Sequence, residues 1–348
     1  MKTAVFVVDK DNPDKESLAQ AAQILAGGGL VAFPTETVYG LGANGLDEKA
    51  SGGIYRAKGR PSDNPLILHI AEKSALNNLV TEITPSAKAL IDKYWPGPLT
   101  VVLPRAQVIP DIITGGLDTV AVRMPDSVVA RELIRMAGVP IAAPSANTSG
   151  RPSPTTAQMV IDDLNGKIDA VIDAGPCDVG VESTVIDCTT VVPTLLRPGG
   201  ITLEMLTDTL GAVDLDKALL TKDAIPRSPG MKYTHYAPEA PMALIEGQPD
   251  KVVRELKRQV EQALAENKAV GAIAAQESVA VLPAEVKAAV YGPRGCVEQI
   301  AANLYSSLRY FDNHQVDIIF AEGICEDGLG LAVMNRMRKA AGHRIIKV

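Results

Sequence analysis

The sequence predicts a mixed α/β chain in two parts, on three observations. Short β-rich runs alternate with amphipathic helical stretches over the first two hundred residues. The later strands of that part follow one another through turns, which favours a twisted mixed, largely antiparallel sheet with helices over a doubly wound one. After an irregular stretch at about 212–240, strand and helix alternate regularly again, the pattern of a small α/β, Rossmann-like domain of parallel strands. The expected division is a domain at 1–211, a linker at 212–240 and a second domain at 241–348.

In the first part, a strand at Thr3–Val8 precedes a helix with apolar Leu18, Ala21, Ala22 and Leu25 at helical spacing, ended by Gly27-Gly28-Gly29. Strands are expected at Leu30–Phe33, Leu66–Ile70, Leu99–Leu103, Val120–Val122, Pro140–Ala143, Ala170–Ile172, Thr184–Asp187 and Thr194–Leu196. Helices are expected near 47–58, 84–94, 127–137, 155–164 and 202–210. The segment Ile225–Pro238 holds three prolines and no periodicity. Two tyrosines, a histidine and a lysine crowd into Lys232–Tyr236, more chemistry than a tether needs, so the segment reads as a lid, with a rigid spacer as the alternative. Beyond it, strands at Met242–Ile245, Ala269–Ala274, Ala288–Tyr291 and Val316–Ala321 alternate with helices at 249–267, 296–311 and 329–341. No GxGxxG or GxxxxGK[ST] element follows these strands, which points to a regulatory or docking role for this domain.

Composition narrows the function. With 348 residues, 46% apolar and 22% charged, the chain has the makeup of a folded protein and excludes disorder or a fibre. The net charge is −7, divided as −5 over residues 1–200 and −2 over the rest, so stable nucleic-acid binding is not expected. The basic stretch at 331–348, with Arg336, Arg338, Lys339, Arg344 and Lys347, also suits the end of a helix. Four dispersed cysteines without CxxC spacing fit reduced thiols. No apolar run approaches a membrane span or a signal-peptide core, so a cytoplasmic location without a membrane partner is expected.

Three constellations hold the candidate chemistry. Pro34-Thr-Glu-Thr-Val-Tyr-Gly-Leu-Gly42 joins a strand to a helix, where backbone N–H groups can meet an anion, although Thr35, Thr37 and the glycines also suit an ordinary turn. Lys58-Gly-Arg-Pro-Ser-Asp-Asn-Pro-Leu-Ile-Leu-His69 sets two cations at a helix end, a pairing suited to a polyphosphate or to compensation of the helix dipole. His69 among apolar residues also reads as a core histidine. The third group comprises Thr119–Pro125, Ala143–Ser153, Glu182–Thr184 and Arg197–Gly200, each at a strand end. Arg123 in an apolar strand requires a carboxylate or phosphate, from the protein or from a ligand. Metal-ligand spacings, GxSxG and a nucleophile beside any histidine are absent from the sequence. The residues alone lead to an anion-binding pocket.

PTETVYGLG at Pro34–Gly42, KGRP at Lys58–Pro61 with Asn64 and His69, Ser145-Ala-Asn147, and SPGMKYTHYAP at Ser228–Pro238 together resemble the two-domain threonylcarbamoyl-AMP synthases, over nearly the whole chain. The resemblance implies a YrdC-like catalytic domain. It also implies condensation of L-threonine, bicarbonate and ATP, with Mg²⁺ on the nucleotide, into threonylcarbamoyl-AMP and pyrophosphate. The product would serve threonylcarbamoyladenosine formation next to the tRNA anticodon, through a downstream tRNA threonylcarbamoyl transferase complex. It assigns Lys58, Arg60 and Asn147 to catalysis. Asn64, Thr119, Ser145, Ser153, Arg197, Tyr233, His235 and Tyr236 join Lys58 and Arg60 at the nucleotide, and Thr37, His69, Arg123, Ala143 and Ser183 hold L-threonine. A tRNA-binding module without catalysis is the competing reading, and a carbamoyl-transfer domain related to hydrogenase maturation is disfavoured by the missing cysteine pairs.

Overall fold

The computed structural model describes residues 2–220 and 236–348. Most of the expected lid, with Tyr233 and His235, lies outside the described residues. The described residues form two compact units. The first holds those up to 220 except Gly150–Pro152 and Val179–Val181, which group with 236–348 in the second.

Eleven strands build the first unit: β1 (Ala4–Val7), β2 (Val31–Phe33), β3 (Gly40–Asn44), β4 (Ile67–His69), β5 (Leu99–Pro104), β6 (Thr119–Arg123), β7 (Ile141–Ala142), β8 (Ala170–Asp173), β9 (Thr184–Asp187), β10 (Thr194–Arg197) and β11 (Asp214–Leu215). Their order across the sheet is β1-β8-β2-β3-β7-β4-β6-β5-β9-β10-β11. The sheet is mixed, as the turn-linked strands imply. Parallel and antiparallel neighbours are equal in number, five pairs each, rather than antiparallel in the majority. The helices over 15–26, 48–58 and 157–164 make crossovers that return the chain in the same sense, whereas the helix over 128–137 joins β6 and β7, which run in opposite senses.

Two layers cover the sheet. Ala50, Ile54, Leu90, Val160 and Leu206 from helices on one face meet Leu41, Leu68, Val101, Val122 and Ile186 in the larger core. On the other face, the helices over 15–26 and 128–137 bury Leu18, Leu25, Leu133 and Ile134 against Val31, Phe33, Ile141 and Ile172. That layer covers one half of the sheet. On the remaining half of the same face, Ile67, Val102, Ala121, Val185 and Leu196 form a separate apolar cluster, brought together by side-chain alternation along β4, β5, β6, β9 and β10.

Gly40–Asn44 and the stretch 214–220 are among the elements that differ from the sequence expectation. Gly40–Asn44, read as a loop because of its glycines, is a strand antiparallel to β2. A Cβ on Gly42 would lie 2.9 Å from both Ile141 Cγ2 and Phe33 Cε1, so close packing requires glycine there. The expected linker at 212–240 begins too early. Asp214–Leu215 adds a parallel strand to β10 and Lys217–Leu220 is a helical turn, elements too short for a periodic signal.

The second unit has five strands, β12 (Met242–Glu246), β13 (Val270–Ala275), β14 (Lys287–Gly292), β15 (Ile318–Glu322) and β16 (Ile345–Lys347), ordered β14-β13-β15-β12-β16 and all parallel. The helix Pro249–Ala265 buries Val252, Leu256, Val260 and Ala263. In the basic C-terminal stretch, Arg336 is fully buried and Arg338 is held between Glu246 and Glu326.

Candidate active site

Lys58 occupies the last turn of a helix started by Asp47, whose side chain accepts from the N–H groups of Lys49 and Ala50. Gly59 ends it at φ 63°, and Pro61 prevents its resumption. The buried Lys58 Nζ does not compensate its own helix end. It donates to the carbonyls of Ser145 and Asn147, each at 2.5 Å, and stands 3.3 Å from Asn147 Oδ1. Ser145 Oγ donates to Asn147 Oδ1 at 2.6 Å, and Ser149 N donates to Lys58 O at 2.9 Å. Residues nearly ninety positions apart thus form one polar knot.

The loop after Lys58 is shaped by Arg60, which donates to the carbonyls of Asn64 and Pro65, each at 2.9 Å. Its guanidinium lies over the Tyr55 ring at 5.8 Å. Asn64 is buried, and its Nδ2 has no hydrogen-bond partner among the described residues. A buried donor of this kind is costly unless a ligand meets it.

Arg123 ends β6, and its partner in the antiparallel register is Thr100. The carboxylate its burial requires comes from the protein: Glu36 Oε1 stands 2.6 Å from Nη2. Nη1 donates to Thr37 Oγ1 at 2.9 Å and Nε to Gly97 O at 3.3 Å. Thr35 organises the preceding turn, its Oγ1 donating to Val38 O at 2.7 Å and accepting from the N–H groups of Thr37 and Val38. That turn delivers Glu36 and Thr37 to the guanidinium.

His69 pairs with Arg123 in the parallel register and meets Phe33 edge-on at 6.2 Å. Its Nδ1 lies 3.2 Å from Ile67 O. Burial, with Arg123 nearby, pulls its pKa down to about 3, so the ring is neutral at physiological pH. Across the sheet, Arg197 donates to Ser183 O from Nε (3.1 Å) and Nη2 (2.9 Å), and from Nη2 to Ser183 Oγ (3.1 Å). Ser183 Oγ meets Thr100 Oγ1 at 2.8 Å, which links this clamp to the Arg123 register. Ser153 Oγ donates to Glu182 Oε1 at 2.6 Å.

Thr119 lies four residues before Arg123 on β6 and faces the same side, roughly 13 Å away at strand rise. Ala143 N donates to Ile67 O at 2.9 Å, so any part it plays toward a ligand falls to its carbonyl. Tyr236 belongs to the second unit, where it is buried and stacked on Tyr305 at 5.3 Å with φ 67°. A cavity of about 670 Å³ lined by Leu46, Ile70, Leu79, Val108 and Ile134 includes none of these residues. Glu36 and Glu182 lie within stretches that the sequence marked but were given no role there, and Thr100, inside an expected strand, joins the site with no signal in the sequence.

Among the described residues, no three His, Cys, Asp or Glu side chains form a metal-binding group. No described helix is long and apolar enough to cross a membrane. The fold and site define a unit in which buried cations, hydroxyls and amides gather at the strand ends of a mixed sheet, joined in one chain to a small parallel α/β unit. The Sua5–YciO–YrdC family model, described as "Telomere recombination", matches residues 23–199, and that of the threonylcarbamoyl-AMP synthase C-terminal domain matches 201–342. The threonylcarbamoyl-AMP synthase of Pyrococcus abyssi is 52% identical over 94% of this chain and 95% of the relative. That of Bacillus subtilis is 48% identical over 99% of this chain and 98% of the relative. The crystal structure of P. abyssi Sua5 complexed with L-threonine superposes with a TM-score of 0.95 at 50% identity, covering 99% of this chain and 100% of the other. The chain belongs to the threonylcarbamoyl-AMP synthase family and is an enzyme of the nucleotidyltransferase type.

Proposed function

We propose that this enzyme condenses L-threonine, bicarbonate and ATP into threonylcarbamoyl-AMP and pyrophosphate. The product serves tRNA modification next to the anticodon through a separate transferase in the cytoplasm. The observation that carries this reading is a pair of polar clusters, Lys58 with Ser145 and Asn147 and Arg123 with Thr37, Thr100, Ser183 and Arg197, towards opposite ends of the strands that carry the apolar patch. The P. abyssi protein of the same fold binds L-threonine.

The chemistry needs positioning and charge. As the threonine amine forms an N–C bond with the bicarbonate carbon, a C–O bond of bicarbonate breaks and its hydroxyl leaves as water with an amine proton, giving a carbamate. A carbamate oxygen then attacks the α-phosphorus while pyrophosphate departs with the electrons of the broken P–O bond. Negative charge grows on the phosphates and is met by Lys58, Arg60 and Arg197, with Asn64 Nδ2 as a further donor and the Ser145 and Ser153 hydroxyls turning from Asn147 and Glu182 to the nucleotide. Mg²⁺ enters as part of the Mg–ATP substrate. The apolar floor of Ile67, Val102, Ala121, Val185 and Leu196 suits the uncharged part of a nucleotide, with Thr119 beside it. Thr37, Ser183, the Ala143 carbonyl and the neutral His69 surround the amino acid, and the remaining N–H groups of Arg123 receive its carboxylate.

Pyrophosphate release by the purified chain with Mg–ATP tests this, omitting L-threonine or bicarbonate in turn. Release that requires both is expected. Release without either refutes the synthase reading, and salt-sensitive tRNA binding without release replaces it with an RNA-binding role.

A further inference from the structure

Glu36 has no place in the assignments above, yet its surroundings are unusual for a carboxylate. The side chain is 8% exposed and meets Arg123 Nη2 at 2.6 Å. Neither Oε1 nor Oε2 has a hydrogen-bond donor among the described residues, so the contact with Arg123 is one of charge without an aligned N–H. A carboxylate offers about four lone-pair positions, and burying them without donors is costly. The neighbouring groups do not supply the donors. Thr37 Oγ1 accepts from Arg123, Thr35 Oγ1 donates to Val38 O, and Asp178 N donates to the backbone carbonyl of Glu36. The buried thiol of Cys177, raised by burial and by the charge of Glu36, stays protonated.

The pair also changes what Arg123 can recognise. A lone buried arginine would take any carboxylate or phosphate, but here the cation is already balanced by an acid on the adjacent turn. A simple anion entering this pocket would meet a neutral pair. A zwitterion matches it, since a ligand carboxylate can use the remaining N–H groups of Arg123 while an ammonium supplies the donors that Glu36 lacks.

We propose that Glu36 is a specificity-determining residue that receives the α-ammonium group of the amino-acid substrate, so that Glu36 and Arg123 together read the zwitterion. This rests on the amino-acid site proposed above and deepens it. The nitrogen keeps one N–H after carbamate formation, so the contact persists through the reaction.

The test is calorimetric binding of L-threonine and of 3-hydroxybutyrate, the same molecule without its amine, to the full-length wild type and to Glu36→Gln and Glu36→Asp variants. Wild type should prefer L-threonine by about 10- to 100-fold, the range of a charge-assisted hydrogen bond. Glu36→Gln should lose most of that preference with its affinity for 3-hydroxybutyrate and ATP retained, and Glu36→Asp should keep most of it. Equal loss of both ligands in Glu36→Gln would make Glu36 a support for Arg123 and overturn the proposal, as would tighter L-threonine binding. If Glu36→Gln does not fold, the wild type and Glu36→Asp decide: equal wild-type affinity for the two ligands overturns the proposal. Wild type that prefers L-threonine but releases no pyrophosphate would sink the synthase reading alone. Threonine-dependent release with equal affinities would sink only the role of Glu36.

Discussion

Replacing Lys58 by methionine separates two descriptions of a buried cation. If the ammonium were a strained charge held in reserve for phosphate, removing it would relieve a desolvation cost and stabilise the protein. Instead, Nζ donates to the carbonyls of Ser145 and Asn147 at 2.5 Å and lies within reach of Asn147 Oδ1. Methionine has a similar length and no donor, so both carbonyls would lose their partner in a site that water does not readily enter. At about 1–3 kcal/mol for each buried acceptor left unsatisfied, partly offset by the lifted desolvation of the ammonium, the net loss is about 3 kcal/mol. In a domain of about 150–250 residues, that corresponds to a fall of about 6–12 °C in Tm. Thermal melting followed by circular dichroism, with and without Mg–ATP, is the assay. A Lys58→Met variant melting at or above the wild-type temperature would refute the view that Lys58 ties the 145–149 segment to its helix.

Three further predictions follow from the same geometry. A Cβ on Gly199 would lie 2.3–2.4 Å from backbone atoms of Glu182, Ser183 and Thr184, so Gly199→Ala should displace Ser183, lower stability by about 2 kcal/mol or more, and weaken L-threonine binding, as calorimetry would show. His69 is neutral when folded down to a pKa of about 3 but takes up a proton near pH 6.5 when unfolded, so stability rises with pH between these values. Denaturation at pH 4.5 and 7.5 should therefore show a stability loss on acidification that is smaller in His69→Asn, by up to about 1.4 kcal/mol per pH unit. Cys177 and Cys188 are buried, and burial pushes Cys188 up to about 12, whereas Cys325 is exposed and Cys296 partly so. Iodoacetamide at pH 8 followed by mass spectrometry should label Cys325 and Cys296 in the native protein, and all four only after denaturation.

What the sequence determined by itself was local. Helical spacing in Leu18–Leu25, the caps at Asp47 and Gly59, and the branched runs of the strands depend on neighbours a few positions apart, and these elements stand close to their expected limits. The motif residues also marked which strand ends carry polar groups. The tertiary structure decided how those ends meet, because strand order brings together segments 60–90 residues apart that no local pattern links. It made Gly40–Asn44 a strand, since the packing of Phe33 and Ile141 around Gly42 outweighs the weak β preference of glycine. It gave Lys58 two carbonyl partners in place of its helix end, and it seated Tyr236 on Tyr305. It also answered the demand that Arg123 posed in the sequence. An arginine in an apolar strand announces that it requires an acid, but only the β2–β3 turn, folded over the end of β6, shows that the acid is Glu36.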